Sequence, residues 1–272
     1  MLIYSNLWVA FALTSLSFVV SFFLQVSSLK HILFCFCVCY TGYNYIYWLA
    51  FKLTPQKLDS ERKRWMNNNK TAMWSSIFVS SVIASYLFLT LNPKSQLIAI
   101  ASSVISMSYL FPSKSKVGLR WIPGAKIVII ALTWTLLISL IIQLDNNNNH
   151  FNMYLSLLLF VIATTIPFDI RDITTDAKSL YTIPQLIGIN NSIVLSQSLL
   201  VISVFLMTCY LPEPSAIVSN VCFLIIGLKI LRKVGLQASA QFINFNVEGL
   251  PVSWAFLLMI SHMLKKQIPV LV

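Results

Sequence analysis

Nine apolar runs follow one another along this chain, each about as long as a helix needs to be to cross a hydrocarbon layer of roughly 30 Å. They fall at 5–25, 31–51, 71–91, 96–112, 124–144, 151–168, 191–210, 214–231 and 247–264. Within lipid every backbone N–H and C=O must find a partner inside the protein, so a chain that crosses repeatedly is built of helices or of a closed barrel. Runs that stay apolar for about twenty residues, without the alternation of a barrel strand, select helices. The expected fold is therefore an all-α, polytopic membrane bundle of about nine transmembrane helices, a single domain over 1–272. Only 10% of the residues are charged, against about 25% in soluble domains. The last run is the least regular, because Glu248, Gly249, Pro251 and His262 fall within it or at its ends.

The charges between the runs are one-sided. Lys52, Lys57, Arg62, Lys63, Arg64 and Lys70 follow the second run, and Lys114, Lys116, Arg120 and Lys126 lie around the start of the fifth. Arg171 and Lys178 follow the sixth, and Lys229, Arg232 and Lys233 close the eighth. With nine crossings these fifteen of the nineteen basic residues share one side, and the positive-inside rule makes that side cytoplasmic. The reading predicts a multi-pass protein of the cell inner membrane, its N-terminus cytoplasmic and its C-terminus outside. It also accounts for the net charge of +11 without nucleic acid as a partner. The N-terminal run has no basic flank or small-residue cleavage site and is read as a retained span.

Several features are bland. The five cysteines lie inside apolar runs, and Cys35, Cys37 and Cys39 lack zinc-ligand spacing, so all five are expected to be small buried hydrophobes. The asparagine runs 67–69 and 146–149 read as connectors. The three histidines lie far apart in sequence and suggest no metal or general-base pair.

One stretch is not bland. Three of the eight acidic residues, Asp169, Asp172 and Asp176, occur together where the sixth run ends. On one helix their offsets place them on a single face, stacked over about two turns. Such a comb of hard oxygen ligands suits Mg²⁺, which takes one or two carboxylates and completes its shell with water and phosphate oxygens. The alternative is a solvated helix start, where aspartates favour the positive end of the helix dipole.

The order Asp169, Asp172, Asp176, Lys178, Thr182 and Pro184, leading into an apolar helix, resembles the second Asp-rich motif of the UbiA-type intramembrane prenyltransferase superfamily. A weaker match is Tyr109 with Lys114, followed by Leu119 to Lys126 and by Trp134. The resemblance departs at the family's first motif, N-D-x-x-D. The corresponding place keeps Asn44 but has Tyr45 and Trp48 where two aspartates are expected.

The resemblance implies helices around a central cavity, with Mg²⁺ as cofactor. It also implies transfer of a prenyl group from a polyprenyl diphosphate to an aromatic or other lipophilic acceptor. By the same resemblance Asp169, Asp172 and Asp176 are the metal-binding and catalytic carboxylates. Asn44, Tyr45, Tyr109, Lys114, Lys116, Arg120, Arg171 and Lys178 are the candidate substrate-binding residues. The alternative is a non-enzymatic homologue that binds isoprenoid or quinone-like lipid or a partner protein. A transporter is a third reading, without the broken helices in matching halves that it calls for.

Overall fold

A computed structural model describes residues 2–26, 28–53, 60–108, 124–145, 150–174, 181–210, 213–234 and 239–267. The elements in order are α1 (Leu7–Leu24), α2 (Leu29–Leu53), α3 (Ser60–Asn68), α4 (Lys70–Leu89), α5 (Pro93–Ser108), α6 (Ala125–Ile142), α7 (Phe151–Arg171), α8 (Ile183–Ile187), α9 (Ile189–Tyr210), α10 (Pro214–Val234) and α11 (Ala240–Phe242). A π-helical turn, Ile243–Val247, then joins α11 to α12 (Leu250–Gln267). Each of the nine apolar runs is helical over most of its described residues. Among the described residues eight helical segments are long and apolar enough to cross a membrane, the last being Ala240–Lys265. The run at 96–112 becomes α5, which has 16 described residues.

Two expectations change. The second loop holds a helix: α3 carries Asn67 and Asn68 at its end, so this asparagine run is not a bare connector. Met66 of α3 is buried and Trp65 packs beside it on the bundle, while the Asn69 side chain donates to the Trp65 carbonyl at 2.9 Å. Cys35, Cys37 and Cys39 are buried as expected, but Cys209 and Cys222 are exposed on the outside of the bundle.

In lipid, helices are held by close packing and hydrogen bonds, since tails solvate apolar side chains as well as a neighbouring helix does. Between α7 and α9 the small residues Ser156 and Ser203 each donate to the other's carbonyl at 2.8 Å. Pro167 has no N–H to give to the Ala163 carbonyl four residues earlier. Ser196 of α9 donates to that carbonyl at 2.6 Å and so satisfies the group that the proline orphans.

The centre of the bundle is aromatic. The Trp254 ring of α12 stacks on Phe223 of α10 at 4.7 Å and meets Phe160 of α7 at 5.4 Å. Its indole N–H donates to Asn220 at 2.8 Å, whose amide in turn donates to Thr208 at 2.7 Å. These contacts fix α7 and α12 relative to each other and so fix what their ends bring together.

Candidate functional site

The last turn of α7 carries Asp169 and Arg171, and Asp172 caps it. This is the C-terminal end of a helix, where the dipole disfavours a carboxylate. The helix-start explanation therefore fails for Asp169 and Asp172, and Asp169 is moreover buried, at 1% exposure. A carboxylate in such a place needs cationic partners. Lys126, in the first turn of α6, supplies one: its Nζ lies 2.7 Å from Asp169 Oδ1 and 3.7 Å from Asp172 Oδ2. Arg171 supplies another, donating from Nε to Asp172 Oδ1 at 2.7 Å and from Nη2 to Oδ2 at 2.9 Å. Its remaining Nη1 donates to Asn244 in the π-helical turn.

The comb is shorter than its spacing predicts. The helix stops at Arg171, so Asp169 and Asp172 are brought together by a shared ammonium and not by a continuous helical face. Asp176 lies outside the described residues, as do Tyr109, Lys114, Lys116, Arg120 and Lys178. Among the described residues no three His, Cys, Asp or Glu side chains form a group fit to hold a metal. Asp169 and Asp172 still meet the needs of Mg²⁺, which binds through one or two carboxylates. The Lys126 ammonium between them marks where a cation is held.

The end of α2 is built differently. Asn44 is buried, and its amide donates to the Ser5 carbonyl at 3.1 Å and the Tyr40 carbonyl at 2.8 Å. Its Oδ1 accepts from Asn6 at 3.0 Å, and Asn6 Oδ1 accepts from Arg62 Nη1 at 3.0 Å. The Arg62 guanidinium lies 3.9 Å over the ring of Tyr47. Asn44 thus ties the start of α1 and the cap helix α3 to α2.

Tyr45 is 40% exposed and stands beside Trp48, ring centroids 5.7 Å apart. Trp48 continues to Trp74 of α4 at 5.4 Å and receives Lys52 at 4.2 Å. At the two positions where the resemblance calls for aspartates, the chain has an exposed tyrosine and a tryptophan packed against the core.

Arg62 and Glu248 are charged residues near this end of α7 that the sequence reading placed only in a basic loop and in an irregular span. Glu248 follows the π-helical turn and lies within the electrostatic reach of both Arg62 and Arg171. Cys39 and Tyr43 of α2 lie within the same electrostatic range. A carboxylate within an apolar run is by itself a pointer to function, and that signal was available in the sequence. Gly249 lets α1 approach closely: a Cβ there would fall 2.9 Å from the Trp8 ring and 2.7 Å from the Phe245 carbonyl. Trp8 stacks on Phe245 at 4.7 Å and donates to the same carbonyl at 2.9 Å, which holds the π-helical turn in place.

The sequence matches no family model and no curated protein. Solved structures do resemble the fold. A UbiA homologue from Archaeoglobus fulgidus bound to GPP and Mg²⁺ is similar with a TM-score of 0.65 and 16% identity, over 95% of this chain and 99% of that one. The same kind of homologue bound to DMAPP and Mg²⁺ gives 0.60 and 15%, over 95% and 98%. An apo UbiA homologue from Aeropyrum pernix gives 0.62 and 15%, over 93% and 98%. The chain has the fold of these UbiA homologues along nearly its whole length.

Proposed function

We propose that this protein is a UbiA-type, Mg²⁺-dependent prenyltransferase, moving a prenyl group from its diphosphate to a lipophilic acceptor inside the membrane. The observation that carries the reading is the buried Asp169 with Asp172, sharing one cation at the end of α7 in a chain of this fold. That such homologues bind GPP or DMAPP with Mg²⁺ supports the same reading. Mg²⁺ held by Asp169 and Asp172, and by Asp176 as the resemblance implies, would neutralise the diphosphate as its bond to carbon breaks.

This chain's own cations do the rest. Lys126 holds both carboxylates in place before substrate arrives, and Arg171 fixes Asp172 and the π-helical turn together. Lys114, Lys116, Arg120 and Lys178, with Tyr109, are proposed to meet the phosphate oxygens as charge-assisted donors. Asn44 acts through Asn6, which it positions to receive Arg62, and Tyr45 is proposed to line the acceptor's approach from lipid. We place the site on the cytoplasmic side of the cell inner membrane, the N-terminus with it and the C-terminus opposite.

A second reading rests on the α2 end, where Asn44 is engaged within the protein and Tyr45 and Trp48 replace carboxylates. On this reading the chain binds isoprenoid or quinone-like lipid without turnover. One experiment separates the two. The purified protein in lipid nanodiscs is given radiolabelled geranyl diphosphate with Mg²⁺ or with chelator. The enzyme reading expects Mg²⁺-dependent binding, release of diphosphate, and about a hundredfold loss of both in Asp169→Asn. Mg²⁺-independent binding, unchanged in the variant and without diphosphate release, establishes the lipid-binding reading instead.

A further inference from the structure

At Tyr45 and Trp48 the resemblance calls for carboxylates, and α2 has no Asp or Glu anywhere from Leu29 to Leu53. Metal on the α7 carboxylates therefore meets a diphosphate from one side only, and the α2 side does not fit a metal ion. What the α2 end has instead is a fixed cation. Arg62 of α3 is half-buried there, its guanidinium 3.9 Å over the ring of Tyr47, the residue before Trp48. It donates from Nη1 to Asn6 Oδ1 at 3.0 Å and from Nη2 to the Ile3 carbonyl at 3.3 Å. These bonds use two of the five N–H groups of a guanidinium, and the others have no hydrogen-bond partner among the described residues. The fork is thus held in place with donors to spare, which is what bidentate recognition of phosphate oxygens requires.

Arg62 also stands near the α7 carboxylates. Tyr47, beneath its guanidinium, lies within the electrostatic range of Arg171, which holds Asp172, and both arginines reach Glu248. We infer that Arg62 is a diphosphate-binding residue that takes the place of the metal ligands α2 lacks, so that the donor is held by metal on the α7 side alone and by a guanidinium on the α2 side. This rests on the prenyl-transfer reading and deepens it. A permanent cation there opposes a second divalent ion and supplies in its stead the charge and the directed donors that phosphate oxygens need. Asn44, through Asn6, supplies one anchor of the guanidinium and the Ile3 carbonyl the other, so loss of Asn44 alone leaves Arg62 tethered.

The test uses the full chain in nanodiscs with Mn²⁺ in place of Mg²⁺ and geranyl S-thiolodiphosphate, a donor analogue that resists ionisation. Electron paramagnetic resonance counts the Mn²⁺ retained per bound analogue, and the inference expects a single ion. Arg62→Gln should weaken analogue binding by about tenfold to a hundredfold, the worth of hydrogen bonds to a charged group, without changing that count. Arg62→Lys keeps the charge but not the fork and should fall between the two. Geraniol, which has no phosphate, should bind wild type and both variants alike, an outcome that mere loss of the α3 seat would not give.

Two Mn²⁺ per analogue in wild type overturns the inference, as does an Arg62→Gln chain that binds the analogue as tightly as wild type or loses geraniol in equal proportion. Should Arg62→Gln fail to fold, the wild-type count and the Arg62→Lys affinity decide, and a lysine variant equal to wild type overturns it. Failure of wild type to retain the analogue with Mn²⁺ at all would instead sink the underlying prenyl-transfer reading.

Discussion

The ends of α2 and α7 meet the same region of the bundle with opposite chemistry. At the end of α7 two carboxylates are held by an ammonium and a guanidinium. At the end of α2 a neutral amide is consumed by three hydrogen bonds within the protein, and an arginine from α3 lies over a tyrosine ring. The carboxylates of α7 stand against a helix dipole, so their position is maintained at a cost that only ion pairing offsets. The buried Asn44 amide costs little there, since its oxygen and its nitrogen are both hydrogen-bonded. On the proposed reading the difference assigns metal and diphosphate chemistry to α7, while α2 serves as a scaffold that seats the cap helix and the start of α1.

The strongest way to break this contrast is to remove Lys126. Its Nζ is the closest cation to Asp169, and the lysine side chain is 26% exposed while the aspartate is 1% exposed. Lys126→Met would leave a buried charge uncompensated, with an expected loss of about 3 kcal/mol. Thermal unfolding in nanodiscs measures it, and Asp169→Asn in the same chain should recover part of the loss. A coupling near zero across that double-mutant cycle would show that the two residues do not act as a pair.

Asn44→Ala tests the scaffold side with a smaller expected effect. Removing the amide strands the Asn6 Nδ2 donor and takes a donor from the Ser5 carbonyl, groups of the kind that cost about 1–3 kcal/mol each when left buried and unpaired. The melting temperature should fall while Mg²⁺-dependent geranyl diphosphate binding stays within about threefold. A loss of binding with no loss of stability would make Asn44 a ligand contact and erase the contrast.

What could be read ahead of the structure divides along the same line. The spans were legible because an apolar run of about twenty residues is a local property and lipid leaves the backbone few choices. Asp169 and Asp172 were legible as a pair from their spacing, but not the stop at Arg171 that ends their common helix. The pairing of Lys126 with Asp169 joins residues 43 apart and depends on how α6 packs on α7, which periodicity does not encode. Glu248 was in plain view as a charge inside a span, yet it lowered the standing of that span instead of marking a site. Its neighbours Arg62 and Arg171 come from elements distant in sequence, and only the packed bundle brings them to one place. The α3 helix was hidden because its polarity, with Glu61, Arg62, Lys63 and Arg64 in succession, resembles that of a solvated loop.

The smallest expected effect provides the control. At the far end of the bundle Glu213, just before α10, accepts from Lys265 of α12. The Lys265 ammonium, through that hydrogen bond first, holds the Glu213 carboxyl below the usual carboxylate range. A carboxyl lowered on folding contributes stability that is fully present above its ordinary value and is lost as pH falls through the lowered one. Because both side chains are accessible, the pair should be worth only a few tenths of a kcal/mol after solvent screening. Glu213→Gln should therefore leave unfolding at neutral pH almost unchanged and flatten only the acid limb of the stability profile. Salt should weaken the wild-type contribution further. If Glu213→Gln proved as damaging as Lys126→Met, burial would not be what distinguishes the α7 pair, and the argument for a maintained, costly site at that end would lose its basis.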